Sequence, residues 1–129
     1  MKKTVLAILM AMLATSAYAR LEGCTSENGG VLFQGENGQS YCISRRQMNW
    51  WSAFSWCKGV GGELATIDDA CPGTGFDKCT NIVGKQSKVR NWTWLATPSS
   101  SEAAYVVAAG TGNVDNYGYR TNAYYALCY

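Results

Sequence analysis

The chain has 129 residues, 47% of them hydrophobic and only 16% charged, with a formal net charge of +2, six cysteines and no histidine. The missing histidine excludes Ser-His-Asp and Cys-His catalysis and removes the commonest general base. Setting Lys2 and Lys3 aside, nine basic residues match nine acidic ones. Arg45, Arg46, Lys85, Lys88 and Arg90 lie scattered among aromatic and small polar residues. Nucleic acid is therefore excluded as a partner, because that affinity rests on neutralising many phosphates.

The chain opens with Lys2 and Lys3, an apolar stretch from Val5 to Leu13, and small residues ending Ala17-Tyr18-Ala19. Positive, apolar, then A-x-A is the pattern of a cleaved secretory signal peptide, here residues 1–19. The apolar stretch falls short of the roughly 20 residues that a bilayer-spanning helix needs, and no later run reaches that length. The expected product is residues 20–129, one domain without membrane insertion, secreted, periplasmic or at the cell surface. Leu21-Glu22-Gly23-Cys24 offers the alternative of a lipidated cysteine, but Arg20 and Glu22 put charges where that signal takes apolar or small residues.

All six cysteines follow the signal, at Cys24, Cys42, Cys57, Cys71, Cys79 and Cys128. An even number in an oxidising compartment reads as three disulfides. There is no C-x-x-C pair, so no metal site and no cofactor is expected.

After Cys24, the short apolar run Val31-Leu32-Phe33 lies between Asn28-Gly29-Gly30 and Gly35-Glu36-Asn37-Gly38, and Ser40 to Ser44 follows. Apolar runs between such turn formers predict a β-hairpin, with Cys24 and Cys42 paired across it. Asn49 then stands as an N-cap before Trp50, Ala53, Phe54 and Cys57, whose spacing predicts one helical face, with Gly59 as the stop. Trp51 and Trp56 fall off that face. Asp68-Asp69, Cys71-Pro72-Gly73 and Gly75 predict an irregular loop that a Cys71 to Cys79 bridge would pin. The two adjacent aspartates read as turn-capping residues rather than as a catalytic carboxylate pair. Strand-forming segments follow at Trp92 to Ala96, Tyr105 to Ala108, Val114 to Tyr119 and Ala123 to Cys128.

Trp50-x-x-Ala53-x-x-x-Cys57, Gly61-Gly62-x-Leu64-Ala65-Thr66-Ile67 and Ala126-Leu127-Cys128, in that order, resemble the C-type lectin-like domain. Met48 to Ala53, Cys71-Pro72 and Trp94-x-Ala96-Thr97-Pro98 more closely resemble short exported bacterial proteins of that class. The resemblance implies a bridge from the helix to the last strand, Cys57 to Cys128, with Cys24–Cys42 as the amino-terminal hairpin pair. It implies an α+β fold: an N-terminal β-hairpin, one main helix, a disulfide-pinned loop and a C-terminal antiparallel sheet. The family's calcium-dependent sugar binding uses a Glu-Pro-Asn or Gln-Pro-Asp triplet and a Trp-Asn-Asp triplet, and this chain has neither. Pro72 and Pro98 have no carboxylate or carboxamide beside them, and Asp68-Asp69 cannot supply the six to eight oxygens calcium takes.

Recognition chemistry is concentrated near the last turn. With Val114 inward, strand alternation puts Asp115, Tyr117 and Tyr119 on the opposite face, with Arg120 and Asn122 in the turn beyond. Tyrosines give large contact area at low entropic cost, and the resemblance places ligands in this region. The expected function is non-catalytic, calcium-independent recognition or adhesion outside the cytoplasm, with a protein or glycan as ligand. The alternative is a self-assembling structural subunit of an extracellular appendage or filament.

Overall fold

A computed structural model describes residues 20–72, 79 and 91–129. The expected signal peptide and most of the loop pinned by Cys71 and Cys79 lie outside the described residues. The described chain forms a six-stranded sheet with two helices. Its strands are β1 (Gly30–Gln34), β2 (Ser40–Met48), β3 (Trp92–Pro98), β4 (Ala103–Ala108), β5 (Val114–Tyr119) and β6 (Tyr124–Cys128), in the order β1-β2-β6-β3-β4-β5. Helix α1 (Trp50–Gly59) follows β2, and the single turn α2 (Ile67–Ala70) precedes β3.

The hairpin forms as its turn residues dictate. Gly35 N–H bonds Gln39 O at 2.9 Å, Gly38 takes φ +79°, and β1 and β2 pair in register from Gly30↔Ser44 to Gln34↔Ser40. Cys24 is not on the ladder, where Leu32 is the partner of Cys42. It reaches Cys42 from the turn that precedes β1. Helix α1 starts at Asn49, whose side chain accepts from Ser52 N–H at 2.9 Å. Its inner face is the expected one: Ala53 and Cys57 are buried, and Trp50 and Phe54 pack against the same core. Thr66 and Asp69 cap α2 reciprocally, so the stretch expected to be irregular contains one ordered helical turn.

Both faces of the sheet are covered, as alternation along the central strands shows. Cys42, Trp94, Ala104, Val106, Ala126 and Cys128 face a cluster that includes Ala53, Cys57 and Leu64. Tyr41, Ile43, Leu95, Val107 and Leu127 face the other way, onto Ala65, Ala70, Cys71 and Cys79. Three disulfides lock this arrangement: Cys24–Cys42, Cys57–Cys128 and Cys71–Cys79. Disulfides of this number belong to oxidising compartments outside the cytoplasm. Among the described residues, no helix is long and apolar enough to cross a membrane.

One expectation is corrected. The carboxy-terminal strands are not all antiparallel: β3–β4 and β4–β5 are, but β6 lies between β2 and β3 and runs parallel to β3, with Thr93↔Tyr125 and Trp94↔Ala126 as partners. The connection after β5 passes the start of α1, where Arg120 O accepts from Trp50 N–H at 3.1 Å. It then delivers β6 to the middle of the sheet rather than back beside β5. Strand patterning marks where strands lie but carries no information on such a crossover.

Candidate functional site

The residues expected to bind lie on and beyond β5, an edge strand of the sheet. Val107 faces Val114 and Val106 faces Asp115, yet Ala104 faces Gly118. Two steps along β4 thus match three along β5, which is a β-bulge. Cross-strand partners share a face. Asp115 therefore lies on the Val106 side, with α1, while Tyr119 lies on the Ala103 and Val107 side, together with Tyr117 two residues before it. The two tyrosines share the side of Val114 rather than opposing it. The extra residue in the bulge inverts the parity on which the sequence expectation rested.

The bulge is held by two bonds, one within β5 and one from the β3–β4 turn. Asp115 Oδ1 accepts from Tyr117 N–H at 2.9 Å, and Ser99 Oγ donates to Asn116 O at 2.7 Å. Gly118 fits it by size. A Cβ there would lie 2.7 Å from Val106 Cγ1, 2.8 Å from Ala104 O and 2.9 Å from Trp94 Cζ3. A residue that must press its backbone onto the core turns both neighbouring side chains outward. Tyr117 is 71% exposed and Tyr119 52%.

Arg120 is positioned differently from the expectation of a free forked donor. Its guanidinium carbon sits 4.4 Å from the centre of the Trp50 ring, Nη2 donates to Ser100 O at 2.9 Å, and Nε is buried without a partner among the described residues. Its backbone N–H bonds Glu102 O at 3.0 Å. Trp50 in turn makes edge contacts with Phe54 at 4.7 Å and Trp51 at 6.0 Å, and its indole donates to Leu95 O at 2.9 Å. Arg120 thus ties the end of β5 to the start of α1. Asn122 lies in the exposed turn, its N–H bonded to Tyr119 O at 2.8 Å.

The structure therefore brings Tyr117 and Tyr119 together on one face, puts Asp115 under their backbone as a brace, and folds Arg120 inward. Sequence reasoning missed Ser99 and Ser100, whose bonds cross from the β3–β4 turn to β5. Their only sequence signal was membership of the Pro98-Ser99-Ser100-Ser101 turn.

The aspartate pair splits as capping chemistry requires: Asp69 Oδ2 accepts from Thr66 N–H at 3.0 Å, while Asp68 points to solvent. Among the described residues, Tyr41 is the group with a displaced acidity. Burial raises its phenol above the ordinary value, and Tyr129 and Asp69 push the same way against the hydrogen bond from Asn37. Its hydroxyl donates to Asp69 O at 2.9 Å, which fixes α2 to the hairpin. No family model matches the chain, and no curated protein matches it.

Proposed function

We propose that this is an exported, non-catalytic recognition module of the C-type-lectin-like class that takes a protein or glycan ligand without calcium. The class is supported by Cys57–Cys128, which joins α1 to the last strand, and by the pairing of β2 with β6. Export is supported by the three disulfides and by the position of Cys24. Its sulfur is bonded to Cys42, so the thiol that lipidation needs is consumed. Leu21, which a lipoprotein cut before Cys24 would remove, is only 5% exposed in the helix-side core.

The observation that carries the functional reading is the pair Tyr117 and Tyr119, large aromatic side chains turned to solvent on a strand whose backbone is fixed by Asp115, Ser99 and Gly118. Preorganised aromatic area of this kind binds at low entropic cost. The test is to screen residues 20–129 against arrays of glycans and surface proteins, in millimolar calcium and in chelator. A captured ligand is expected to bind equally in both, and millimolar calcium is expected to leave the thermal midpoint unchanged. A calcium site filled about a hundredfold above its dissociation constant would add about 2.7 kcal/mol and raise the midpoint by several degrees.

The second reading, a self-assembling subunit, is favoured by one feature. Strand β1 is an uncharged sheet edge with Leu32 55% exposed, an arrangement that templates pairing with another chain. Sedimentation of the purified domain separates the two: a monomer supports recognition, and concentration-dependent polymers support the subunit.

A further inference from the structure

On the other side of the molecule, α1 and the second half of β2 enclose an open groove of about 810 Å³, to which Tyr117 and Tyr119 do not contribute. The groove exists because β2 leaves its ladder. Ile43 faces Leu127 and Gln47 faces Tyr125, four steps along β2 against two along β6. The buried Ser44 holds this bulge: its Oγ accepts from Ala126 N–H at 2.8 Å and donates to Arg46 O at 2.7 Å. Bulges re-aim side chains, and here Arg46, Gln47 and Met48 form one wall of the groove. The other wall is a helical stripe, Ser52, Ser55 and Trp56, at spacings of three and four residues.

The lining is mixed, with more apolar than polar surface, and it carries little charge. The indoles of Trp50 and Trp94 donate to Leu95 O and Met48 O, but that of Trp56, half-buried against the core, has no acceptor among the described residues. The side chains of Arg46, Gln47, Ser52 and Ser55 likewise have no partner among them. Arg46 is the one charge in the lining.

We infer that this groove binds a saccharide that carries a carboxylate. An indole takes the apolar face of a sugar ring, the two serines suit its hydroxyls, and a lone guanidinium matches a single carboxylate as a bidentate fork. The volume lies in the range of small-ligand sites. An acidic peptide is the competing occupant, since β1 pairs with β2 only as far as Ser44, and the titration below separates it from a saccharide. The inference stands independently of the tyrosine face.

The test is a titration of residues 20–129, labelled with nitrogen-15, against tetragalacturonate. Maltotetraose serves as the neutral counterpart and tetraglutamate as the acidic peptide. Tetragalacturonate is expected to shift the Trp56 indole signal saturably, and both counterparts to bind at least about tenfold more weakly. Arg46→Ala, at an exposed position, is expected to weaken binding about tenfold while leaving the spectrum folded, and Ser55→Phe, on the exposed helix stripe, to fill the groove and abolish it. No saturable shift, equal binding of maltotetraose or tetraglutamate, or an unaffected Arg46→Ala variant would each overturn the inference. Shifts confined to β5 would overturn it too, while leaving the tyrosine-face reading intact.

Discussion

Tyr117 and Arg120 are three residues apart and look equally suited to binding in the sequence, yet the structure gives them opposite roles. Tyr117 has no packing duty and is free to meet a ligand, whereas Arg120 stacks on Trp50 and bonds Ser100 O. Replacing Arg120 by alanine removes a cation–π contact and a charged hydrogen bond, and is expected to lower stability by about 2 kcal/mol in denaturant unfolding. Gly118→Ala is expected to cost about 1–3 kcal/mol, since two of the three close atoms belong to the packed Val106 and Trp94 side chains and the third to backbone. The identity of the aromatic residues was legible in the sequence. Their face was not, because a single bulged residue reverses every side chain beyond it. Tyr41 gives the molecule a pH signature. Its phenol is raised in the folded state by burial, so the stability this group contributes is complete below the ordinary tyrosine value of about 10 and is lost as pH rises through the folded value. Unfolding free energies measured from about pH 8 to about pH 11 should fall at the alkaline end, and more steeply in the native chain than in Tyr41→Phe.

At the scale of elements, α1 was the most legible part, because its signals are local. An asparagine cap, a periodic apolar face and a glycine stop all act within a dozen residues. Asn49→Ala is expected to cost about 1 kcal/mol, measurable as a lowered thermal midpoint. The two bulges and the parallel partnership of β3 with β6 were illegible for the opposite reason. Each depends in part on a residue distant in sequence: Ser44 satisfies the Ala126 amide from 82 positions away, and Ser99 reaches Asn116 from 17. Ser44→Ala leaves that buried N–H without its acceptor and is expected to cost about 1–3 kcal/mol, whereas Ser44→Thr retains the hydroxyl and should recover part of it.

For the whole molecule, the disulfides decide how much of the fold can exist alone. Cys57–Cys128 closes a separation of 71 residues and joins α1 to the central strand β6. Chain-entropy arguments give such a crosslink about 4 kcal/mol, a large part of a small domain's stability. Non-reducing peptide mapping is expected to recover Cys57 with Cys128, and a different partner would dismantle the topology described above. α1 packs on one sheet face and the α2 region on the other, so among the described residues the surfaces open to recognition are the edge strands β5 and β1 and the groove along α1. The tyrosine face carries the proposed function, and its direct measure is the affinity of Tyr117→Ala and Tyr119→Ala variants for the captured ligand, read beside their thermal midpoints. Each substitution is expected to weaken binding by about 1–3 kcal/mol with the midpoint nearly unchanged. Undiminished affinity in folded variants, or a collapsed midpoint showing that these rings support the core, would contradict it.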